Sequence, residues 1–85
     1  MKTYRIYTEN KNLEGIKDIL NRNFKAYTIF YGVGVWEGIK EKNLTIEIIG
    51  EKFDIAVEVM ARTIKILNNQ QAVLVTVSEI ESKLI

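Results

Sequence analysis

Eighty-five residues with a formal net charge of +1, 47% hydrophobic and 27% charged, describe one small globular domain spanning residues 1–85. That balance gives no electrostatic case for nucleic acid or an anionic membrane as partner. Cysteine and histidine are both absent, which excludes disulfides, Cys/His zinc sites, thiol nucleophiles and histidine-based catalysis.

In Lys2–Thr8, Tyr4 and Ile6 alternate with Thr3, Arg5 and Tyr7, the period of a half-buried strand. Asn12 is placed to cap a helix opening at Leu13, where Leu13, Ile16, Leu20 and Phe24 recur at helical spacing. Gly15 inside that pattern costs roughly 1 kcal/mol against alanine. Lys25–Trp36 reads as a long strand, apolar or small on both faces, and Asn43–Ile49 as a strand with Leu44, Ile46 and Ile48 on one side. The second helix, about Lys52–Asn68, carries Phe53, Val57, Met60, Ala61, Ile64 and Leu67 on one stripe. A second apolar set, Ile55, Val59 and Ile66, is displaced around the axis. Asn68-Asn69-Gln70 breaks the helix, Ala72–Val77 is a β-branched strand, and Ser78–Ile85 alternates only weakly.

This β-α-β-β-α-β order, with right-handed crossovers, predicts an α+β, ferredoxin-like sandwich: a four-stranded antiparallel sheet, order 4-1-3-2, with both helices on one face. Tyr4, Ile6, Leu44, Ile46, Ile48, Val73, Val75 and Val77 then face the helices. Arg5, Tyr7, Thr45, Glu47, Ile49, Leu74 and Thr76 face outward. The second strand adds either its Tyr27, Ile29, Tyr31, Val33 set or its Phe30 set, which makes the outer surface apolar enough to predict self-association.

The richest stretch is Tyr27–Gly50, where Gly32, Gly34, Gly38 and the only tryptophan, Trp36, gather at one corner. A phosphate loop does not fit, because Gly32 and Gly34 lie inside a strand pattern with no third glycine at dinucleotide spacing and no Gly-Lys-Ser/Thr. A bulge or strand bend is the expectation there, and Trp36 reads as an interface or core-edge anchor. Glu37, Glu41 and Glu47 are near one another in sequence and, flanked by Lys40 and Lys42, read as solvated turn charges. An RNA platform of the ferredoxin-like kind wants aromatics on the first and third strands; Tyr7 would serve on the first, but Leu44–Ile49 offers none. No residue pair is singled out for catalysis, so the expectation is a protein that is not an enzyme, with no cofactor and no metal.

Trp36-Glu37-Gly38-Ile39-Lys40-Glu41, closing a tyrosine-rich strand and followed by Leu44–Ile49, resembles the Trp-x-Gly turn of CutA-type proteins. The chain as a whole resembles a minimal member of the wider PII-like group. That resemblance implies a homotrimer whose open sheet faces turn toward the threefold axis, with small effectors in clefts between subunits. It departs from the nitrogen-regulatory PII proteins in two places. Their long loop is shortened here to about Glu37–Asn43, and their glycine-rich phosphate segment is replaced by Asn68-Asn69-Gln70-Gln71. Adenine-nucleotide binding therefore does not carry over residue by residue, and CutA-type metal binding does not carry over without cysteine or histidine.

The functional expectation is a non-enzymatic, PII-like homo-oligomeric regulatory protein that binds a small molecule or a partner protein at intersubunit clefts. The alternative is a protein-interaction module, an inhibitor or adaptor, acting through an apolar strand or sheet face. Candidate ligand-binding residues are Gly32, Gly34, Trp36, Gly38, Lys40 and Glu41, with Asn69 and Gln70 as neighbours from another subunit. Backbone N–H groups at the glycines and the two amides would supply hydrogen bonds, and Lys40 would favour an anion. No run of the length of a membrane span and no signal-like apolar start occur, which makes the cytoplasm the expected compartment.

Overall fold

The computed structural model describes residues 1–85. Six elements follow in chain order: β1 (Lys2–Glu9), α1 (Leu13–Asn23), β2 (Thr28–Trp36), β3 (Ile39–Gly50), α2 (Asp54–Leu67) and β4 (Leu74–Glu79). The four strands form one antiparallel sheet in the order β2-β3-β1-β4. Counted from the β4 edge the same neighbours read 4-1-3-2, with β1 and β3 central. The architecture is a small α+β fold compatible with the ferredoxin-like class. No helix is long and apolar enough to cross a membrane.

Strand alternation builds the core. Tyr4, Ile6, Leu44, Ile46 and Ile48 are fully buried on one face, beneath Ile16 and Leu20 from α1, Phe24 just past its end, and Val57, Met60, Ala61 and Ile64 from α2. Val73 and Val75 pack at the margin of this cluster, whereas Val77, expected beside them, is half exposed at the end of edge strand β4. The second apolar set of α2 has no cover: Ile55, Val59 and Ile66 face solvent.

The chief departure from expectation concerns β2 and β3. No charged turn runs from Glu37 to Asn43. The register between the strands is continuous from Thr28↔Glu47 to Trp36↔Ile39, so the connection is only Glu37-Gly38. Both turn residues have positive φ, 50° and 79°, as a type I′ hairpin requires. Since β1 pairs with β3 only from Asn43 to Gly50, Val33–Trp36 and Ile39–Lys42 project past β1 as a two-stranded ribbon. The molecule is correspondingly elongated, 39 × 25 × 21 Å.

Asn12 does not cap α1 with its side chain. It sits at φ 54° and donates instead to Leu67 O at 3.3 Å and Asn68 Oδ1 at 2.9 Å, tying the start of α1 to the end of α2. Asn68, 5% exposed, donates in turn to Gln70 Oε1 at 2.8 Å and Thr8 Oγ1 at 3.4 Å. Thr8, also buried, donates to Gln70 Oε1. These four side chains form one closed polar network where β1, α1 and α2 meet, and every buried polar side-chain atom finds a partner.

Candidate functional site

Paired residues of an antiparallel ladder share a face. The pairs Gly32↔Asn43, Gly34↔Glu41 and Trp36↔Ile39 therefore lie on the face away from the helices, together with Phe30, Thr45 and Glu47. Lys40 and Lys42 lie on the other face, in line with buried Leu44. Lys40 thus lies on the opposite face from Trp36, Gly34 and Glu41 and does not line the cleft that they help to form.

Between the ribbon and the turn after α2 lies a cleft of about 500 Å3. Gly34, Val35, Trp36, Glu41 and Asn43 form one wall, Asn69–Ala72 the opposite wall, and Tyr7, Thr8 and Glu9 the floor, with Lys11 and Leu74 at the margins. Of the expected site residues, Gly34, Trp36, Glu41, Asn69 and Gln70 are brought together, all within one subunit. Gly32 lies two pairs deeper, at the root of the ribbon, while Gly38 is at the hairpin tip with open space around it. Tyr7, Glu9 and Asn43 were not anticipated, because their part in the site depends on the β1–β3 and β2–β3 registers.

Asn43 explains the glycines. Its amide lies across β2; with the amide oriented so that donor meets acceptor, the nitrogen donates to Gly32 O at 3.2 Å and the oxygen accepts from the Gly34 N–H at 3.3 Å. A Cβ at Gly32 would approach that amide to 2.9 Å, and one at Gly34 to 2.7 Å. No bulge occurs; the register is unbroken. The glycines are spaced to admit one side chain from the neighbouring strand. Gly34→Ala is expected to displace the amide and lower stability by about 1–2 kcal/mol, the net worth of one or two hydrogen bonds. In an Asn43→Ala background the same substitution should cost close to nothing. Urea melts on the four members of this double-mutant cycle measure the coupling.

The far wall is built by the end of α2. Asn69 adopts φ 52°, its N–H donates to Ile66 O at 3.1 Å, and the Gln70 N–H donates to Lys65 O at 3.0 Å. This is the paired hydrogen bonding of a Schellman motif. Gln70, expected to contact a ligand, is already engaged: its Oε1 accepts from Thr8 and Asn68, and its Nε2 donates to Ala72 O at 3.3 Å. It holds the wall rather than offering a free amide.

The acids are arranged differently from the turn cluster expected. Glu47 pairs with Arg5 at 2.9 Å in the middle of the open face, and its hydrogen bond and charge hold the guanidinium more firmly protonated. Glu41 lies beside Glu9 from β1. The hydrogen bond to Glu9 first, then burial and the charge of Glu9, push the Glu41 carboxyl above the ordinary carboxylate range, while Lys11 works the other way. Lys11 itself is 3.0 Å from Glu9. The cleft thus sets two carboxylates against one lysine, beside an indole that is 63% exposed.

No protein-family model and no curated protein matches the chain. Among solved structures, the de novo designed protein Foldit4 is similar, with a TM-score of 0.56 and 17% identity over 94% of this chain and 96% of that one. The likeness is one of fold. It carries nothing about ligands or partners.

Proposed function

We propose that this chain is a non-enzymatic, homo-oligomeric binding protein of PII-like type, which takes a small molecule in the cleft between the β2–β3 ribbon and Asn69–Ala72. The observation that carries the reading is the cleft itself, about 500 Å3, of the size that small-molecule sites occupy. It joins an exposed aromatic platform, Trp36, to hydrogen-bonding carboxylates at Glu41 and Glu9. The lining favours a ligand with an apolar face and donor groups, neutral or cationic, over a phosphate. Three copies is the number that the PII-like resemblance leads one to expect, and a cytoplasmic setting accords with it.

A metabolite screen by thermal shift tests this, with Trp36 emission as second readout. A ligand of the cleft should raise the melting point by mass action, about 2.7 kcal/mol of added stability at a hundredfold excess over Kd, and should change the emission of the only tryptophan. A protein that responds to no metabolite, yet is stabilised by a protein partner, would favour the adaptor reading. That second reading draws on the exposed apolar edge of β2, to which a partner strand could add.

A further inference from the structure

Strand β2 is an edge strand of a kind that soluble proteins usually protect. Over nine residues, Thr28–Trp36, it has no charge, no proline and no bulge, whereas edges are ordinarily blunted by such devices. The lysines of the ribbon, Lys40 and Lys42, sit one strand inward on β3. Hydrogen-bond direction shows what the edge offers. Lys42 O accepts from the Asn10 N–H on the β1 side, so the peptide groups of its partner Val33 point away from β3, by the alternation of an antiparallel ladder. Ile29, Tyr31, Val33 and Val35 therefore all turn their N–H and C=O groups outward. Phe30, Tyr31, Val33, Val35 and Trp36 are each at least half exposed.

We infer that this edge pairs with the β2 of a second copy, antiparallel about a twofold axis through Gly32, extending the sheet to eight strands. The strand is complementary to itself in that register. Tyr31 meets Val33 and Ile29 meets Val35 as hydrogen-bonded pairs on the helix side. On the open face the pairs are the closer, non-hydrogen-bonded ones, and there Gly32 meets Gly32 while Phe30 meets Gly34. Aromatic faces glycine, so no two bulky side chains collide. Phe30 of the second copy then lies diagonal to Trp36, within the reach of aromatic side chains, and adds an apolar wall to the cleft beside Gly34. The site proposed above is incomplete without it.

The pairing stands independently of any ligand. Full-length protein should show the mass of an even number of copies by light scattering: two if this contact acts alone, six if a threefold contact forms as well. Val33→Pro removes an outward N–H that the β2–β3 ladder does not use, and Val33→Lys places a charge on the edge at a position 68% exposed. Both variants should halve the assembly mass or reduce it further, keep the far-UV circular dichroism of the parent, and shift Trp36 emission to the red. Val33→Thr should retain the parent mass. A parent of one or three copies, or a mass unchanged in both Val33→Lys and Val33→Pro, would overturn the pairing, whatever the ligand screen returns.

Discussion

Asn68→Ala is expected to lower stability by about 2–3 kcal/mol, a large effect for one polar side chain in a domain of this size. The amide is the junction of the network joining Asn12, Thr8 and Gln70. Its loss leaves the Asn12 amide with Leu67 O alone and the Gln70 oxygen with Thr8 alone, and opens a gap beside buried Thr8, where an unmade hydrogen bond costs more than a made one contributes. Because Gln70 fixes Asn69–Ala72, the far wall of the cleft should loosen as well. Urea melts give the first quantity. Amide exchange at Asn69–Gln71 gives the second, and protection there equal to the parent's would show that the Schellman hydrogen bonds hold the wall unaided.

Trp36→Ala should have the opposite signature, with the subunit intact and the assembly damaged. The indole makes little contact within one chain, being 63% exposed, so the subunit's own fold should survive its removal. In the β2 pairing inferred above it would meet Thr28 and, diagonally, Phe30 of the second copy. Truncating an aromatic anchor of that kind typically costs about 2 kcal/mol or more of association energy. Sedimentation at micromolar concentration should show dissociation, with secondary structure unchanged by circular dichroism. Retention of the parental mass would mean that the indole serves the cleft alone.

The helix-facing half of the sheet was legible from alternation, because Tyr4, Ile6, Leu44, Ile46 and Ile48 meet two helices and every second residue must be apolar there. The ribbon was not legible for the converse reason. Past the helix layer both faces of the strands meet solvent, so Lys40-Glu41-Lys42-Asn43 lost the pattern that marks a strand and read as turn. The same lost pattern groups Lys40 with the corner residues, since only its place in the ladder shows which face it takes. Trp36, Gly34 and Glu41 were found by composition at the corner. Asn43, which gives the glycines their reason, lies 11 residues from Gly32, and its role follows from strand register. Asn12 misled in the same way: a local capping signal was overridden by a partner 56 residues on. Strand β4, starting at Leu74 rather than Ala72, and α2, starting at Asp54 rather than Lys52, are ordinary slips of boundary.

The turn at Glu37-Gly38 carries a consequence for how any signal could leave this protein. A two-residue hairpin locked at positive φ has almost no conformational freedom left to lose, so occupancy of the cleft cannot be broadcast by ordering a long loop at the ribbon tip. The ribbon moves as a stiff lever or not at all. On the reading proposed above, news of a bound molecule would travel outward as a change in how many copies are joined, or in the angle at which one ribbon meets another, and a listener would recognise the shape of the assembly rather than the fold of a segment.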